Sequence, residues 1–256
     1  MLELRTLGAI DLRAHDGRDV RSILKGPKRL ALLAYLALRM SHGFQRRDAI
    51  VGLLWPELNQ ERARHALRNT LHSLRSALAD GAVVNRGDEE VGIARGRLWC
   101  DAVAFEEALE RGDGFRAAEL YRGELLPAFF LADAPDFERW LEAERRRLRA
   151  RAVDAAWSAA RACEAADDVS DAKRYGRRAV GLDPADEVSV RRLIALLDRL
   201  GDRLGAVHAY QEFALRFKAE YGLRPSPETR ELIGVVSSRD EAESAASSHR
   251  VEASTL

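Results

Sequence analysis

Residues 62–76 contain cationic and amide side chains at the spacing of one helix face. With each residue turned by about 100° from the last, they fall on one side of the helix. The polar face is formed by Arg62, His65, Asn69, His72 and Ser76, with Arg64, Arg68 and Arg75 along its flank. Guanidinium groups bind guanine edges or phosphates, and an Asn side chain can pair with adenine. The same pattern also fits an ordinary helix with a solvated polar face, and this segment alone does not decide between the two.

The opposite side of this segment is apolar and predicts how the helix is anchored. The predicted buried stripe consists of Ala63, Leu67, Thr70, Leu71, Leu74 and Leu78. The only acidic residue inside the helix proper is Glu61, in the first turn, where the helix dipole favours a negative charge. We therefore predict an amphipathic helix from Leu58 to Ala79 with a cationic outer face.

The sequence contains no motif typical of catalysis, nucleotide binding or metal binding. It contains no phosphate-binding loop, no GxGxxG, no HExxH and no GxSxG motif. His65 and His72 lie seven residues apart and could share a metal, but no carboxylate joins them. Cys100 and Cys163 are predicted to be reduced thiols rather than a disulfide. We predict no catalytic residue, no metal site and no cofactor, and hence that the protein is not an enzyme.

The charge of the chain is distributed unevenly. The 256 residues contain 41 Lys plus Arg and 41 Asp plus Glu, so the formal net charge is zero. Residues 1–100 hold 17 basic and 11 acidic side chains, whereas residues 101–256 hold 24 and 30. A whole-chain basic composition is therefore excluded, yet the first part carries +6 and the second −6. This asymmetry indicates two domains with different tasks.

The elements around the cationic helix follow a recognisable order. Alternating apolar residues predict short antiparallel strands, namely Leu2, Leu4, Leu7, Ile10, Leu12, Val20 and Ile23. A helix is predicted to begin at Pro27 and to end before Gly43, and a second spans Arg47 to Leu54. After the cationic helix, apolar residues at 83–84 and 91–93 flank a polar turn and predict a hairpin.

Strands, two helices, a cationic helix and a hairpin form the order of a winged helix. In that fold the second and third helices make the helix-turn-helix, and the hairpin reaches along the DNA backbone. We expect the hairpin to contribute Arg86, Arg95 and Arg97 to DNA binding. The +6 charge of this segment supplies attraction to phosphate that does not depend on sequence.

After Asp101 the sequence becomes helical almost to Val236 and repeats itself. Residues match at an offset of 34, the tetratricopeptide period, as Asp168 does with Asp202 and Ala172 with Ala206. The arginines of a long helix predicted from Asp136 to Cys163 alternate with glutamates, which favours a solvated face over a nucleic-acid site. The tail at 237–256 lacks periodicity and is predicted to be disordered.

Neither a membrane segment nor a secretion signal is expected. The longest apolar run, Leu30 to Leu38, has nine residues, against roughly 20 for a membrane helix. The first residues lack the charged start, apolar middle and cleavage site of a secretory signal. We predict a cytoplasmic protein without membrane contact.

Several short motifs along the chain together form a family pattern. They are Leu7-Gly8, Leu32-Leu33-Ala34-Tyr35-Leu36, Leu53-Leu54-Trp55-Pro56, Ala66-Leu67 through Leu74-Arg75-Ser76-Ala77-Leu78, Asp101 with Phe105, Leu120-Tyr121-Arg122-Gly123-Glu124-Leu125-Leu126-Pro127, Trp140 and Glu220-Tyr221-Gly222-Leu223-Arg224-Pro225-Ser226-Pro227-Glu228-Thr229. With these motifs the sequence resembles the Streptomyces antibiotic regulatory proteins over about 235 residues. Residues 1–100 resemble their OmpR-type winged helix, and residues 101–236 resemble their bacterial transcriptional activator domain. The implied fold is an α+β winged helix followed by an all-α tetratricopeptide-like domain.

The sequence departs from the family pattern in the wing. An acidic run, Asp88-Glu89-Glu90, occupies the wing tip, where it would repel phosphate. We therefore rank Arg86, Arg95 and Arg97 below the helix arginines. Nothing resembles a nucleotide-binding or receiver domain, so neither ATP dependence nor a phosphorylation switch is implied.

The resemblance implies a sequence-specific DNA-binding transcriptional activator. Its partners would be double-stranded DNA carrying direct repeats, a second protomer bound beside it, and RNA polymerase. The alternative is a tetratricopeptide-type interaction adaptor without DNA recognition. A third hypothesis places a small-molecule effector among Trp140, Trp157, Tyr175 and Tyr210, although aromatic residues at helical spacing more often form core.

Overall fold

A computed structural model describes residues 1–15, 20–78 and 81–238. The chain divides into two compact units, Met1–Arg151 and Ala152–Leu256. Strands are found in the first unit, and the described part of the second is helical. The predicted fold class, a winged helix followed by a tetratricopeptide-like helical domain, is confirmed. The predicted domain boundary at residues 100 and 101 differs from the division into compact units and stays a prediction.

Among its described residues, the first unit contains two small sheets, six α-helical segments and two short 3-10 turns, Arg21–Ile23 and Met40–His42. Its elements are β1 (Leu2–Arg5), β2 (Asp11–Ala14), α1 (Pro27–Leu38), β3 (Gln45–Arg46), α2 (Arg47–Leu54), α3 (Gln60–Leu78), β4 (Val83–Arg86), β5 (Glu90–Ile93), β6 (Leu98–Cys100), α4 (Asp101–Glu110), α5 (Gly114–Leu120) and the first part of α6 (Pro135–Ala165). One sheet has the order β2-β1-β6, with β1 antiparallel to β2 and parallel to β6. The other has the order β3-β5-β4 and is antiparallel.

Two parts of the strand prediction are wrong. Val20 and Ile23 do not lie in a strand, because Arg21–Ile23 forms a 3-10 turn in which the amide of Ile23 donates to the carbonyl of Val20. Their spacing of three buries both on one side of such a turn, whereas a strand alternates with period two. The predicted hairpin ends at Ile93, and Arg95 and Arg97 lie beyond it in the turn before β6.

The core of the first unit is built around α1. Every residue from Leu30 to Leu38 is buried, so this helix is apolar on all sides, as a central helix must be. Pro27 occupies the first helical turn, where its missing N–H has no cost. α1 packs against α2, α3, β5 and β6. α3, the helix predicted to carry the cationic face, therefore packs against the central helix of the core.

The buried stripe of α3 is as predicted, with one exception. Ala63, Leu67, Leu71, Leu74 and Leu78 are buried. Thr70 is half-buried, and its hydroxyl donates to the carbonyl oxygen of Ala66 at 2.8 Å. The core thus fixes the rotation of α3 and leaves its polar side outside.

Asp101 ties the start of α4 to the end of β1. Its carboxylate accepts hydrogen bonds from the amides of Thr6 (2.8 Å) and Leu7 (3.0 Å) and from the Thr6 hydroxyl (2.8 Å). Burial is the largest influence on the pKa of Asp101 and raises it, although these donors act in the opposite direction. Burial also raises the pKa of the neighbouring Cys100 thiol to about 12. The winged helix and α4 therefore share a buried polar junction.

A second junction brings the chain before α6 against the N-terminal sheet. Gly8 has φ +78°, and a Cβ atom there would lie 2.8 Å from the carbonyl carbon of Arg122. The Gly8 amide donates to the carbonyl of Glu124, and the Leu126 amide donates to the carbonyl of Thr6. Only glycine combines this conformation with so close an approach. The Leu7-Gly8 motif is thus a packing feature.

One arginine of α6 contradicts the predicted solvated face. The Arg145 side chain is only 13% exposed, and it donates to the carbonyl oxygens of Leu125, Leu126 and Phe129 at 2.9, 2.7 and 3.2 Å. These carbonyls belong to a loop whose backbone is irregular and leaves acceptors without helical partners. The pattern of alternating charges could not show this, because the loop lies 16 to 20 residues away.

The second unit contains a stack of helices with the predicted repeat. After the end of α6 come α7 (Val169–Leu182), α8 (Glu187–Arg199), α9 (Arg203–Tyr221) and a helix at 227–238. Asp168 and Asp202, 34 residues apart, cap α7 and α9 by accepting from an amide three residues ahead. Gly176 allows close packing, since a Cβ there would lie 2.9 Å from the Leu196 side chain. The repeat period therefore corresponds to equivalent helix starts.

Two aromatic side chains of the second unit belong to its core. Trp157 and Tyr175 are buried, as core residues are. Of the tail predicted to be disordered, 237 and 238 are helical and 239–256 lie outside the described residues. Within the described ranges, no helix has both the length and the apolarity needed to cross a bilayer.

Candidate nucleic-acid interface

The outer face of α3 presents the predicted polar residues together. Arg62, Arg64, His65, Arg68, Asn69, His72 and Ser76 are exposed, and Arg75 is half-buried. The amide of Arg62 donates to the Asn59 side chain at 3.0 Å, which caps the start of the helix. One helix surface thus combines guanidinium, imidazole, amide and hydroxyl groups, which are the donors and acceptors that match base edges and phosphates.

Two arginines of this surface are available for an external partner. In the part of the chain that the structure describes, the side chains of Arg62 and Arg68 have no hydrogen bond or ion pair. Asn69 lies beside Arg68 and is also exposed. Because these side chains form no hydrogen bond within the part of the chain that the structure describes, they can contact DNA without breaking an internal bond.

Arg64 is held in place by α2. Its Nε and Nη2 atoms lie 3.2 and 3.0 Å from Oδ1 of Asp48, and Nη2 lies 3.2 Å from Oδ2. Both side chains are more than half exposed. The helical periodicity of α3 did not show this partner, because Asp48 lies on another helix.

Arg75 shares a neutral acceptor with a residue that the sequence analysis missed. Its Nη2 atom donates to Oδ1 of Asn85, and the same oxygen accepts from Nη2 of Arg47 at 3.0 Å. Arg75 also donates through Nε to the carbonyl of Val83 at 3.2 Å. Burial and the nearby Arg47 charge lower the pKa of Arg75 from its usual value.

Because Asn85 is an amide, it accepts hydrogen bonds from Arg47 and Arg75 without neutralising their charges. The Nε atom of Arg47 is buried and has no hydrogen-bond partner among the described residues. Two guanidinium groups around one amide favour an anion such as a phosphate. The sequence contains one sign of this positive charge, because Arg46 and Arg47 are adjacent at the predicted start of α2.

The hairpin contributes less positive charge than its arginine suggests. Arg86 pairs with Glu90 across the β4–β5 hairpin and lies 4.9 Å from the centre of the Phe44 ring. The hydrogen bond from Arg86 lowers the pKa of Glu90, so this carboxylate stays charged. Part of the Arg86 charge is thus compensated within the wing.

The acidic wing tip borders a groove beside α3. The groove has a volume of about 370 Å³ and is lined by Arg47, Asp48, Gln60, Glu61, Arg64, Leu67, Arg68, Asp88 and Glu89. Its lining therefore combines three arginines with four carboxylates.

Arg95 and Arg97 are exposed, but they are not part of the hairpin. The carbonyl oxygen of Arg97 accepts a hydrogen bond from the Leu2 amide at 3.0 Å, because β6 continues beside β1. The structure therefore groups Arg86 with the wing and places these two arginines at the edge of the N-terminal sheet. Their predicted role in DNA binding stays a prediction.

One group of three metal-ligand side chains occurs in the described ranges. Cys163, Asp168 and Asp171 place their ligand atoms within 4.8 Å of one another. Asp168 already caps α7, and Asp171 forms two hydrogen bonds with Arg174 at 3.0 and 2.8 Å. Both carboxylates thus have structural partners.

Comparison with known proteins shows the following similarities. The family model for the bacterial transcriptional activator domain matches residues 88–236. Among solved structures, the chain is similar to Mycobacterium tuberculosis EmbR in complex with a low-affinity phosphopeptide, with a TM-score of 0.59 and 18% sequence identity. The alignment covers 93% of this chain and 65% of the EmbR chain, so this chain spans less than two thirds of that protein. No curated protein matches the sequence. At this identity, the similarity to EmbR shows the fold alone.

Proposed function

We propose that this chain, which belongs to the bacterial transcriptional activator domain family, is a transcriptional activator of the Streptomyces antibiotic regulatory protein type that recognises specific promoter DNA through α3. In this proposal the polar face of α3 lies in the major groove. Members of this family are regulators rather than enzymes.

One observation carries the proposal: the exposed face of α3 contains unpaired arginines next to an amide. Arg62 and Arg68 have no internal partner in the described part of the chain, and Asn69 is exposed beside Arg68. A face that were merely solvated would be expected to balance its cations with carboxylates on the same helix. On α3 the only carboxylate is Glu61, in the first turn.

The residues around α3 support distinct roles in binding. We propose that Arg62, Arg68 and Asn69 contact base edges and nearby phosphates, together with His65 and His72. Arg64, held by Asp48, would present its guanidinium in one orientation, and Arg75 with Arg47 would bind the backbone. Arg86 would contribute less, because it is paired with Glu90.

The second part of the proposal concerns protein partners. By resemblance, the protein would bind direct repeats as neighbouring protomers and contact RNA polymerase through its helical part. Half-sites bound on one face of the duplex lie about one helical turn apart. The proposal involves no cofactor and no metal, and it places the protein in the cytoplasm.

The proposal can be tested by selecting binding sites from random double-stranded DNA with the full chain. We expect the recovered duplexes to share a short motif, repeated in the same orientation about 10 to 11 base pairs apart. A recovered pool with the composition of the starting pool would contradict DNA recognition and favour the interaction-adaptor alternative.

A further inference from the structure

A groove in the second unit is lined by both apolar and cationic side chains. It lies between α9 and the segment that follows it, and has a volume of about 490 Å³. Leu215, Leu223 and Pro225 contribute apolar lining, and Lys218, Arg224 and Arg230 contribute positive charge. Among the described residues, none of those lining this groove is acidic.

The apolar part of the groove has no partner among the residues of this unit that the structure describes, 152–238. Leu215 is 72% exposed and Leu223 is 58% exposed. A single exposed leucine on a surface is common, whereas exposed apolar side chains grouped around one groove are typical of a contact site.

The charge of the groove is opposite to the net charge of the second unit's sequence. Residues 152–256 contain 15 basic and 18 acidic side chains. The side chains of Lys218, Arg224 and Arg230 nevertheless have no ion pair in the described part of the chain. Unpaired cations beside apolar side chains are complementary to an apolar ligand that carries carboxylates.

We propose that this groove binds an amphipathic helix of a partner protein, with carboxylates beside its apolar stripe. The groove follows α9 from Tyr210 to Lys218, which corresponds to about 12 Å of helix. Two turns of an incoming helix span the same length, and leucines at i, i+4 and i+7 would meet Leu215 and Leu223. Such a helix would extend the stack of the second unit by one element.

The inference goes beyond the proposed function, since none of the groove residues belongs to the proposed DNA interface. The two can be tested separately. DNA binding can fail while the groove binds its helix, and the groove can fail while the chain still binds DNA.

The probe is a synthetic 18-residue peptide with leucines at helical spacing and glutamates on both flanks, labelled with fluorescein. Its binding to the full chain is measured by fluorescence anisotropy. A control peptide has the same leucines and lysine in place of each glutamate. We expect the glutamate peptide to bind with an affinity that falls as salt is raised, and the lysine peptide to bind at least about tenfold more weakly.

Variants of α9 provide matched controls. Leu215→Ser should weaken binding of the glutamate peptide by about tenfold or more, because it removes most of an apolar contact. Leu204→Ser changes a leucine that is 67% exposed on the same helix but outside the groove, and should leave binding unchanged. Lys218→Glu should weaken binding by a similar factor, whereas Arg216→Glu, exposed outside the groove, should have a much smaller effect.

Three results would overturn the proposal. The first is an absence of binding by the glutamate peptide, with a circular dichroism spectrum that shows the chain to be folded. The second is equal binding of both peptides. The third is a dimer in sedimentation analysis that Leu215→Ser dissociates while peptide binding is absent, because the groove would then hold a second copy of this chain.

Discussion

The carboxylate of Asp48 accepts hydrogen bonds from both Nε and Nη2 of Arg64, at distances of 3.0 to 3.2 Å. An exposed pair of this kind adds about 0 to 1 kcal/mol to stability. Its main consequence is geometric, because it fixes one edge of the guanidinium. Asp48 therefore acts as a positioning residue for Arg64 at the proposed interface.

Replacing Asp48 by Asn should reduce specificity more than affinity. The variant removes a negative charge near DNA, which favours binding to any duplex, but it also frees Arg64 from its fixed orientation. We expect the ratio of affinities for selected and random duplex to fall by about fivefold or more, within the range for one well-placed base contact. Both affinities are measured by fluorescence anisotropy.

The control for this prediction is Asp171→Asn. Asp171 forms a comparable two-point pair with Arg174, in the second unit. Its replacement should leave the ratio unchanged. A ratio that Asp48→Asn does not alter, or that both variants reduce equally, would contradict the positioning role.

The acidic wing tip should limit affinity. Replacing Asp88 by Asn and Glu89 by Gln removes two negative charges that line the groove beside α3. We expect the affinity for random duplex to rise by roughly threefold or more at low salt, and the gain to shrink as salt is raised. The matched double variant, Glu107→Gln with Glu110→Gln, changes exposed residues of α4 and should have little effect. Equal gains from the two double variants would mean that the wing tip does not face DNA.

The Asp101 junction should support the stability of the first unit. Asp101→Ala leaves the buried amides of Thr6 and Leu7 without their acceptor. Each buried donor without a partner costs about 1 to 3 kcal/mol, so we expect the free energy of unfolding in urea to fall by roughly 2 to 4 kcal/mol. The comparison is Asp113→Ala, an exposed cap of α5, whose loss should cost about 1 kcal/mol. A smaller loss for Asp101→Ala than for Asp113→Ala would refute the assigned importance of the junction.

The pKa of Asp101 predicts a pH dependence of stability. Burial raises this pKa in the folded chain, so the folded state keeps the proton to a higher pH than the unfolded state does. The contribution of Asp101 to the free energy of unfolding is therefore largest in acid. It declines as the pH rises from the ordinary Asp range through the raised value.

Asp101→Asn removes this titration and provides the measurement. The free energy of unfolding of the wild type, minus that of Asp101→Asn, should decrease across that pH window and level off above it. A difference that instead increases with pH would show that the hydrogen bonds from Thr6 and Leu7 outweigh burial.

Local patterns in the sequence predicted most helices and strands. The features that these patterns did not predict depend on contacts between residues far apart in the sequence. α1, α2 and α3 follow from apolar periodicity with Pro27 and Pro56 at their borders. The repeat offset found equivalent helix starts because Asp168 and Asp202 perform the same local task.

The errors concern residues whose role depends on the tertiary structure. Arg145 was assigned to solvent because its loop acceptors lie far away in sequence. Arg97 was assigned to the hairpin because the parallel pairing of β6 with β1 joins residues about 96 positions apart. At the candidate interface, the face of α3 was predictable from its periodicity, but the partners of Arg64 and Arg75 were not.

The most direct test of the account is the salt dependence of DNA binding by the wild type and by Arg68→Ala. Arg68 is exposed and has no internal partner in the described part of the chain, so its replacement should not disturb the fold. We expect Arg68→Ala to bind the selected duplex more weakly, and the slope of log affinity against log salt to become shallower by up to about 0.9, the value for one lost phosphate contact. Arg216→Ala, an exposed arginine of α9, should match the wild type. If Arg68→Ala and the wild type have the same affinity and the same slope, α3 is not the DNA-binding helix.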